Sequence, residues 1–147
     1  MNNPITGFIT LVGRVLICAI FVMSVSLNKI PNFSNVAEHM AKEGVPLPSF
    51  SLVLTIAMLL VGSALVIVGF KARLGALLLF VFLLAATFYF HDFWSMDQED
   101  ARVQQIMFMK NLSMLGAMAF IMGVGAGPWS IDNCCCKTEA CEADVAA

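Results

Sequence analysis

The fold is decided by residues 50–70, which read FSLVLTIAMLLVGSALVIVGF and contain no charged side chain. A helix needs about 20 predominantly apolar residues to cross the roughly 30 Å hydrocarbon core of a bilayer. Three further stretches meet this requirement: residues 7–30, 74–90 and 106–127. None of them alternates apolar and polar residues with the period of two that marks a membrane β-barrel. The sequence therefore predicts an all-α integral membrane protein built as a four-helix bundle.

The composition agrees with a membrane protein. Hydrophobic residues make up 60% of the 147 residues and charged residues 12%, against roughly 45–50% and 25% in soluble domains. A soluble fold of this length has too much surface to hide that apolar area. The net charge of −2, without a run of Lys or Arg, argues against binding to nucleic acid. We place one domain at residues 1–132.

The first apolar stretch is expected to remain in the protein as a helix. It is longer than the apolar core of a signal peptide, contains Arg14, and shows no small-residue cleavage site before Lys29. The connection that follows it is predicted to hold a short surface helix over residues 35–42, capped by Ser34 or Asn35.

Positive charges in the short loops set the expected orientation. Lys71 and Arg73 lie in the tightest loop with no acidic residue between them, which favours a cytoplasmic position for that loop. Both termini would then be cytoplasmic (N-in, C-in), and the first and third loops would face outward. Lys29, Lys42 and Arg102 fall on the outer side and oppose this orientation.

Polar residues collect at one rim of the predicted bundle. Under an alternating topology, the rim receives Asn28 and Lys29 from the first helix, His91 from the third, and Lys110 and Asn111 from the fourth. One interpretation is an ordinary interfacial belt in which the lysines snorkel to the headgroups. The other is a pocket for an amphipathic ligand with an oxygenated head, such as a quinone, in which His91 could move protons.

Other features of the spans concern packing and buried charge. Arg14 lies inside the first helix, where it either snorkels or makes a buried contact. Small residues share one face of the fourth helix and predict close helix packing, within the bundle or between two copies: Gly116, Ala119, Gly123 and Gly127. Gly62 and Gly69 are expected to pack in the same way. A stripe of methionines on the fourth helix favours adaptable packing over a Cu(I) path.

The last residues, 133–147, are polar, small and acidic, and we expect a short flexible tail. This tail contains four cysteines: Cys134, Cys135, Cys136 and Cys141. Thiolates bind soft metals or exchange disulfides with a partner. Without a C-x-x-C pair or a nearby histidine, a metal site on these cysteines is the weaker expectation.

Several short motifs, in their order and spacing, resemble the DoxX family of small four-helix bacterial membrane proteins. They are Gly13-Arg14, Asn28-Lys29-Ile30, Gly44-Val45-Pro46, His91-Asp92-Phe93-Trp94, Lys110-Asn111-Leu112 and Gly125-Ala126-Gly127. The resemblance covers about residues 8–132 and implies a multi-pass protein of the bacterial inner membrane. Leu59 stands where similar members often carry an acid. Some DoxX-like proteins are small subunits of a thiosulfate:quinone oxidoreductase, and others look like membrane partners of sulfur-transfer or oxidative-stress proteins.

Carried over by position, the matching polar residues are Arg14, Lys29, His91, Lys110, Asn111 and Asp132. Arg14 and Asp132 should both lie toward the inner side, and we expect them to form an ion pair. The resemblance implies an accessory or quinone-linked subunit of a membrane redox system, with a protein partner in a membrane complex. A non-catalytic scaffold, and a small-solute or lipid carrier, are the alternatives. Whether the chain is itself an enzyme, and whether it forms a homo-oligomer, is left open.

Overall fold

The computed structural model describes residues 3–90 and 98–134, of which residues 98–100 are described by their backbone alone. Its elements, in order, are α1 (Pro4–Ser24), a π-helical segment (Val25–Lys29), α2 (Phe33–Lys42), α3 (Pro48–Val68), α4 (Ala72–Phe90) and α5 (Gln98–Val124). In this described part of the chain, four helices are long and apolar enough to cross a membrane: α1 with its π-helical segment, α3, α4 and α5. The predicted all-α fold with four membrane-spanning helices is confirmed.

The membrane-spanning helices α1, α3 and α4 begin two or three residues earlier than predicted, and two other helices differ in ways that have a clear cause. α5 begins at Gln98 rather than near residue 106, because the polar residues before its apolar stretch include good helix formers and continue the helix beyond it. The predicted surface helix is present as α2, but Asn32 occupies its N-cap position. The cap predicted at Ser34 or Asn35 is therefore wrong. The backbone N–H of Val36 already donates to the Asn32 carbonyl oxygen at 2.9 Å, so the helix starts earlier.

Two glycines bring α3 and α4 close together. A Cβ atom added to Gly62 would lie 3.1 Å from the carbonyl oxygen of Gly75, and one on Gly75 would lie 2.8 Å from that of Gly62. Lipid tails are as apolar as the helices, so close van der Waals packing, rather than burial, holds such a pair together. The predicted packing role of Gly62 is confirmed. Gly69 ends α3 with a φ of 71°, and a Cβ there would collide with Arg14.

Three of the four residues of the predicted small-residue face do not pack inside the bundle, so for them the alternative of packing within one bundle is wrong. The fourth, Gly127, lies beyond the end of α5, and a Cβ there would lie 3.3 Å from Thr10 Cγ2. Gly116, Ala119 and Gly123 are exposed, and a Cβ on either glycine would have no neighbour within 4 Å. α5 instead faces the core with larger side chains, among which Met118 is fully buried and Leu115 nearly so. Their shapes fill the irregular space against α4, as the methionine stripe predicted.

The core and the outer surface are both apolar. Buried residues from the spanning helices form one cluster, which includes Phe21, Leu59, Leu79 and Met118. Many large hydrophobic side chains point outward, and Phe88 is 77% exposed. An outward apolar surface of this extent is unfavourable in water and suits contact with lipid tails.

Candidate ligand-binding site

A cavity of about 670 Å³ lies at the end of the bundle where α1 passes into the π-helical segment. All five helices contribute to its walls, which are mostly apolar and include Phe21, Leu52 and Phe82. The volume falls in the range of small-molecule pockets, roughly 300–1,000 Å³. Four residues of the predicted rim line this cavity: Asn28, Lys29, Lys110 and Asn111. His91, the fifth, lies outside the described residues.

The π-helical segment positions Lys29. The backbone N–H of Ile30 donates to the carbonyl oxygen of Val25 at 3.0 Å, the i+5 bond that defines a π-helix. Such segments recur at functional sites in helices. Lys29 is half-buried; its Nζ donates to Ser24 Oγ at 2.8 Å and lies 5.6 Å from the centre of the Phe82 ring. The ammonium is therefore held in the cavity wall by a hydrogen bond and a cation–π contact.

A chain of hydrogen bonds holds Asn111 on α5. The hydroxyl of Thr87 on α4 donates to the carbonyl oxygen of Leu83 at 2.6 Å. The amide nitrogen of Asn111 donates to Thr87 Oγ1 at 3.1 Å. Both Thr87 and Asn111 are buried. The cavity thus has a second fixed polar group, which connects α4 to α5.

Asn28 and Lys110 lie at the edge of the cavity. Both are exposed, and the Nζ of Lys110 contacts Met107 Sδ on its own helix at 3.2 Å. The backbone carbonyl of Asn28 accepts a hydrogen bond from the N–H of Asn32 at 3.0 Å. The structure therefore brings Lys29 and Asn111 into the wall and leaves the other two at the mouth.

α2 covers part of the cavity. Its apolar face places Met40 against Leu52 of α3, where both are buried. On the same helix, the ring of His39 lies 5.5 Å from the ring of Phe90 at the end of α4. This short amphipathic helix separates the apolar interior of the cavity from the polar surface outside the bundle.

Arg14 is buried at the opposite end of the bundle, with 4% of its surface exposed. Its guanidinium donates to the backbone carbonyl oxygens of Thr10 at 3.4 Å, Val66 at 3.5 Å, and Trp129. Arg14 therefore does not snorkel. It connects α1 with the end of α3 and with the segment that follows α5.

Asp132 does not form the expected ion pair with Arg14: among the described residues, no salt bridge connects these two side chains. Its carboxylate instead accepts hydrogen bonds from the backbone N–H groups of Lys71 at 2.8 Å and Ala72 at 3.1 Å, at the start of α4. Its own N–H donates to the Gly69 carbonyl oxygen at 2.9 Å. A helix N-terminus carries unpaired N–H groups and a partial positive charge, which compete for a nearby carboxylate.

The cysteines are only partly described. Cys18 is buried in α1 and Cys134 is exposed, in a helical turn formed by residues 131–134. Cys135, Cys136 and Cys141, and with them most of the predicted tail, lie outside the described residues. The expectations about tail flexibility and metal binding stay predictions.

Comparison with known proteins identifies the family. Residues 9–92 match the DoxX family model, which is more than half of the chain. The chain belongs to the DoxX family. Two inner membrane proteins of Escherichia coli K12 are similar to this DoxX chain. YphA is 27% identical, and the match covers 84% of this chain and 87% of YphA. YqjF is 32% identical, and the match covers 84% of this chain and 88% of YqjF.

A more distant relative comes from Schizosaccharomyces pombe. Its Surfeit locus protein 4 homolog is 30% identical over 64% of this DoxX chain, but only 32% of that homolog is covered. No solved structure matches. The four spanning helices and the E. coli relatives confirm the predicted location of this DoxX protein in the inner membrane. The N-in, C-in orientation stays a prediction.

The family match reaches from α1 to the end of α4 and includes Lys29 and Thr87, whereas Asn111 lies beyond it. Ser24 and Thr87 are site residues of this DoxX chain that its sequence did not predict. A single hydroxyl residue in an apolar helix forms no pattern, since such a group can simply bond to the carbonyl one turn earlier. The spacing of Ser24 and Lys29 becomes informative only when the π-helical turn is known.

Proposed function

We propose that this DoxX protein is an accessory, quinone-binding component of a membrane redox system. The observation that carries the proposal is the 670 Å³ apolar cavity with Lys29 and Asn111 in its wall. A quinone has a flat ring with oxygen atoms and an apolar chain. Apolar walls with a few fixed polar groups suit such a ligand, because the walls take the ring and chain while the polar groups orient the oxygens.

Lys29 is the main polar contact in this proposal. An ammonium group has three N–H donors, and Ser24 uses one of them. A remaining N–H can donate to a ligand oxygen, and such a charge-assisted hydrogen bond contributes about 1.5–3 kcal/mol. Phe21 and Phe82 form an edge-to-face pair beside it, with ring centres 6.5 Å apart. Their aromatic surface suits packing against the ring of a quinone.

In this proposal the redox work is divided between the ligand, a partner and the protein itself. A bound quinone supplies the electron-carrying chemistry, and a partner protein in the membrane complex supplies or receives the electrons. The protein's own part is to bind the ring, to orient its oxygens and to exclude water from them. α2 supports the last of these roles, because it covers the cavity next to Leu52 and Phe90.

The test is the quinone content of the protein purified in mild detergent. Lys29→Met keeps most of the apolar side chain and removes the charge, and Lys42→Met is the matched control. Lys42 is exposed and lies outside the cavity lining. Its Nζ lies 2.9 Å from Glu38 Oε1, and this hydrogen bond from Lys42 lowers the pKa of the Glu38 carboxyl group.

We expect near-stoichiometric quinone in the native protein and in the Lys42→Met variant. The Lys29→Met variant should contain less quinone, because its affinity for quinone should fall about 10- to 150-fold. This fall is the equivalent of one charge-assisted hydrogen bond. Lys110→Ala should have a smaller effect, because that side chain contacts Met107 at the mouth. Quinone no higher than the lipid background in the native protein would refute the proposal.

A second function, a non-catalytic scaffold, is favoured by the exposed small-residue face of α5. Gly116 and Gly123 leave open space beside the helix, and in lipid such a face lets a second helix approach closely. The second helix would come from a partner protein or another copy. Gly116→Leu and Gly123→Leu should then reduce cross-linked assemblies in native membranes without changing quinone content. Unchanged assemblies in both variants would remove the scaffold function.

A further inference from the structure

The hydrogen bonds of Thr87 decide how the Asn111 amide is oriented. A threonine hydroxyl has one proton to donate, while its oxygen can also accept. That proton is used on the Leu83 carbonyl oxygen at 2.6 Å. Toward Asn111 at 3.1 Å, Thr87 can therefore only accept, and the amide group facing it must be the nitrogen. The two ends of an amide are assigned from their hydrogen bonds, and here the bonds allow a single assignment.

The other end of the amide, Asn111 Oδ1, is the group that Asn111 can offer to the cavity. Asn111 lines the cavity with 6% of its surface exposed. Within the described residues, the only fully enclosed side-chain nitrogen or oxygen atom without a hydrogen-bond partner is Ser63 Oγ. Among the hydrogen bonds of the described residues, none has Asn111 Oδ1 as its acceptor, so this oxygen is the group that Asn111 has left to offer a ligand.

The two polar groups of the cavity wall differ in what they accept as a ligand. The Lys29 ammonium donates, and it can donate to a carbonyl oxygen or to a hydroxyl oxygen alike. An amide oxygen only accepts, so it binds a group that carries a proton. A quinone offers carbonyl oxygens alone, whereas its reduced form, the quinol, has hydroxyl groups that donate as well as accept.

Resting on the proposed function, we infer that the cavity binds the quinol in preference to the quinone, and that Asn111 oriented by Thr87 selects between them. A quinol hydroxyl donates to Asn111 Oδ1. A quinone places a carbonyl oxygen there instead, which leaves two acceptors facing each other in an apolar surrounding. Leaving a buried acceptor unpaired is costly, and we expect a preference of about tenfold for the quinol. Thr87 acts as a positioning residue.

The experiment compares the binding of decylubiquinone and of its reduced quinol to the full chain in detergent, by anaerobic calorimetric titration. Native protein should bind the quinol about tenfold more tightly. Thr87→Val removes the hydroxyl and frees the amide to turn its nitrogen toward the ligand, so the two affinities should become about equal. Thr87→Ser keeps the hydroxyl and should keep the preference. Asn111→Leu removes the acceptor and should also abolish the preference.

The outcomes separate this inference from the function on which it rests. Equal affinities for the two forms in native protein would overturn the inference and leave quinone binding intact. A Thr87→Val variant that keeps the native preference would also overturn it, since orientation by Thr87 would then be irrelevant. Binding of neither form would overturn the proposed function itself. Thermal unfolding of each variant identifies any loss of folding, and Thr87→Ala replaces a valine variant that does not fold.

Discussion

Substitution of Asp132 tests how the segment after α5 holds the start of α4. Asp132→Ala removes both acceptors from the N–H groups of Lys71 and Ala72. Loss of a capping side chain costs about 0.5–2 kcal/mol, and loss of a negative charge at a helix N-terminus about 0.3–1 kcal/mol. Ala72 is fully buried, so water does not easily replace its partner. We expect the free energy of unfolding to fall by about 1–3 kcal/mol.

Two further variants distinguish a helix cap from an ion pair. Asp132→Asn keeps one acceptor oxygen, so it should retain about half of the lost stability. The double charge reversal, Arg14→Asp with Asp132→Arg, should not recover native stability. An arginine cannot accept hydrogen bonds from the start of α4, and an aspartate in α1 would face the carbonyl oxygens of Val66 and Trp129.

The assay is equilibrium unfolding in detergent followed by tryptophan fluorescence. The chain has two tryptophans, and a Trp94→Phe background leaves Trp129, whose carbonyl oxygen accepts from Arg14, as a reporter of this end of the bundle. Recovery of native stability by the double charge reversal would refute the helix-capping role of Asp132 and support an ion pair between Arg14 and Asp132.

Two more predictions concern packing. Gly62→Leu should lower the free energy of unfolding by about 1–3 kcal/mol or more, because a side chain there meets the facing helix. Gly116→Leu should change the free energy of unfolding by less than about 0.5 kcal/mol. Similar effects of both in detergent unfolding would contradict the packing described for α3 and α5. Met118→Ala should cost about 2 kcal/mol or more through the cavity that it leaves, while Met109→Ala, at a position 49% exposed, should change stability by less than about 0.5 kcal/mol. A Met118→Ala variant with native thermal stability would show that this side chain is not part of the core.

The sequence by itself determined the fold class and the end of the bundle at which polar residues gather. Apolar stretches of about 20 residues identify membrane spans because their length must match the bilayer. The alternation of spans then places Asn28, Lys29 and Asn111 at the same end, since successive helices run in opposite directions. The cavity in the structure lies at that end and is lined by all three.

Only the tertiary structure decided which groups are partners. Arg14 and Asp132 share one end of the bundle, but spacing along the chain does not show that the N–H groups of Lys71 and Ala72 lie nearer to the carboxylate. The sequence also does not predict which face of α5 is buried, for a different reason. In water the polar side of a helix reveals which side is buried, whereas in lipid both sides are apolar. The fit of Met118 and its neighbours against α4, and not polarity, selects the buried side.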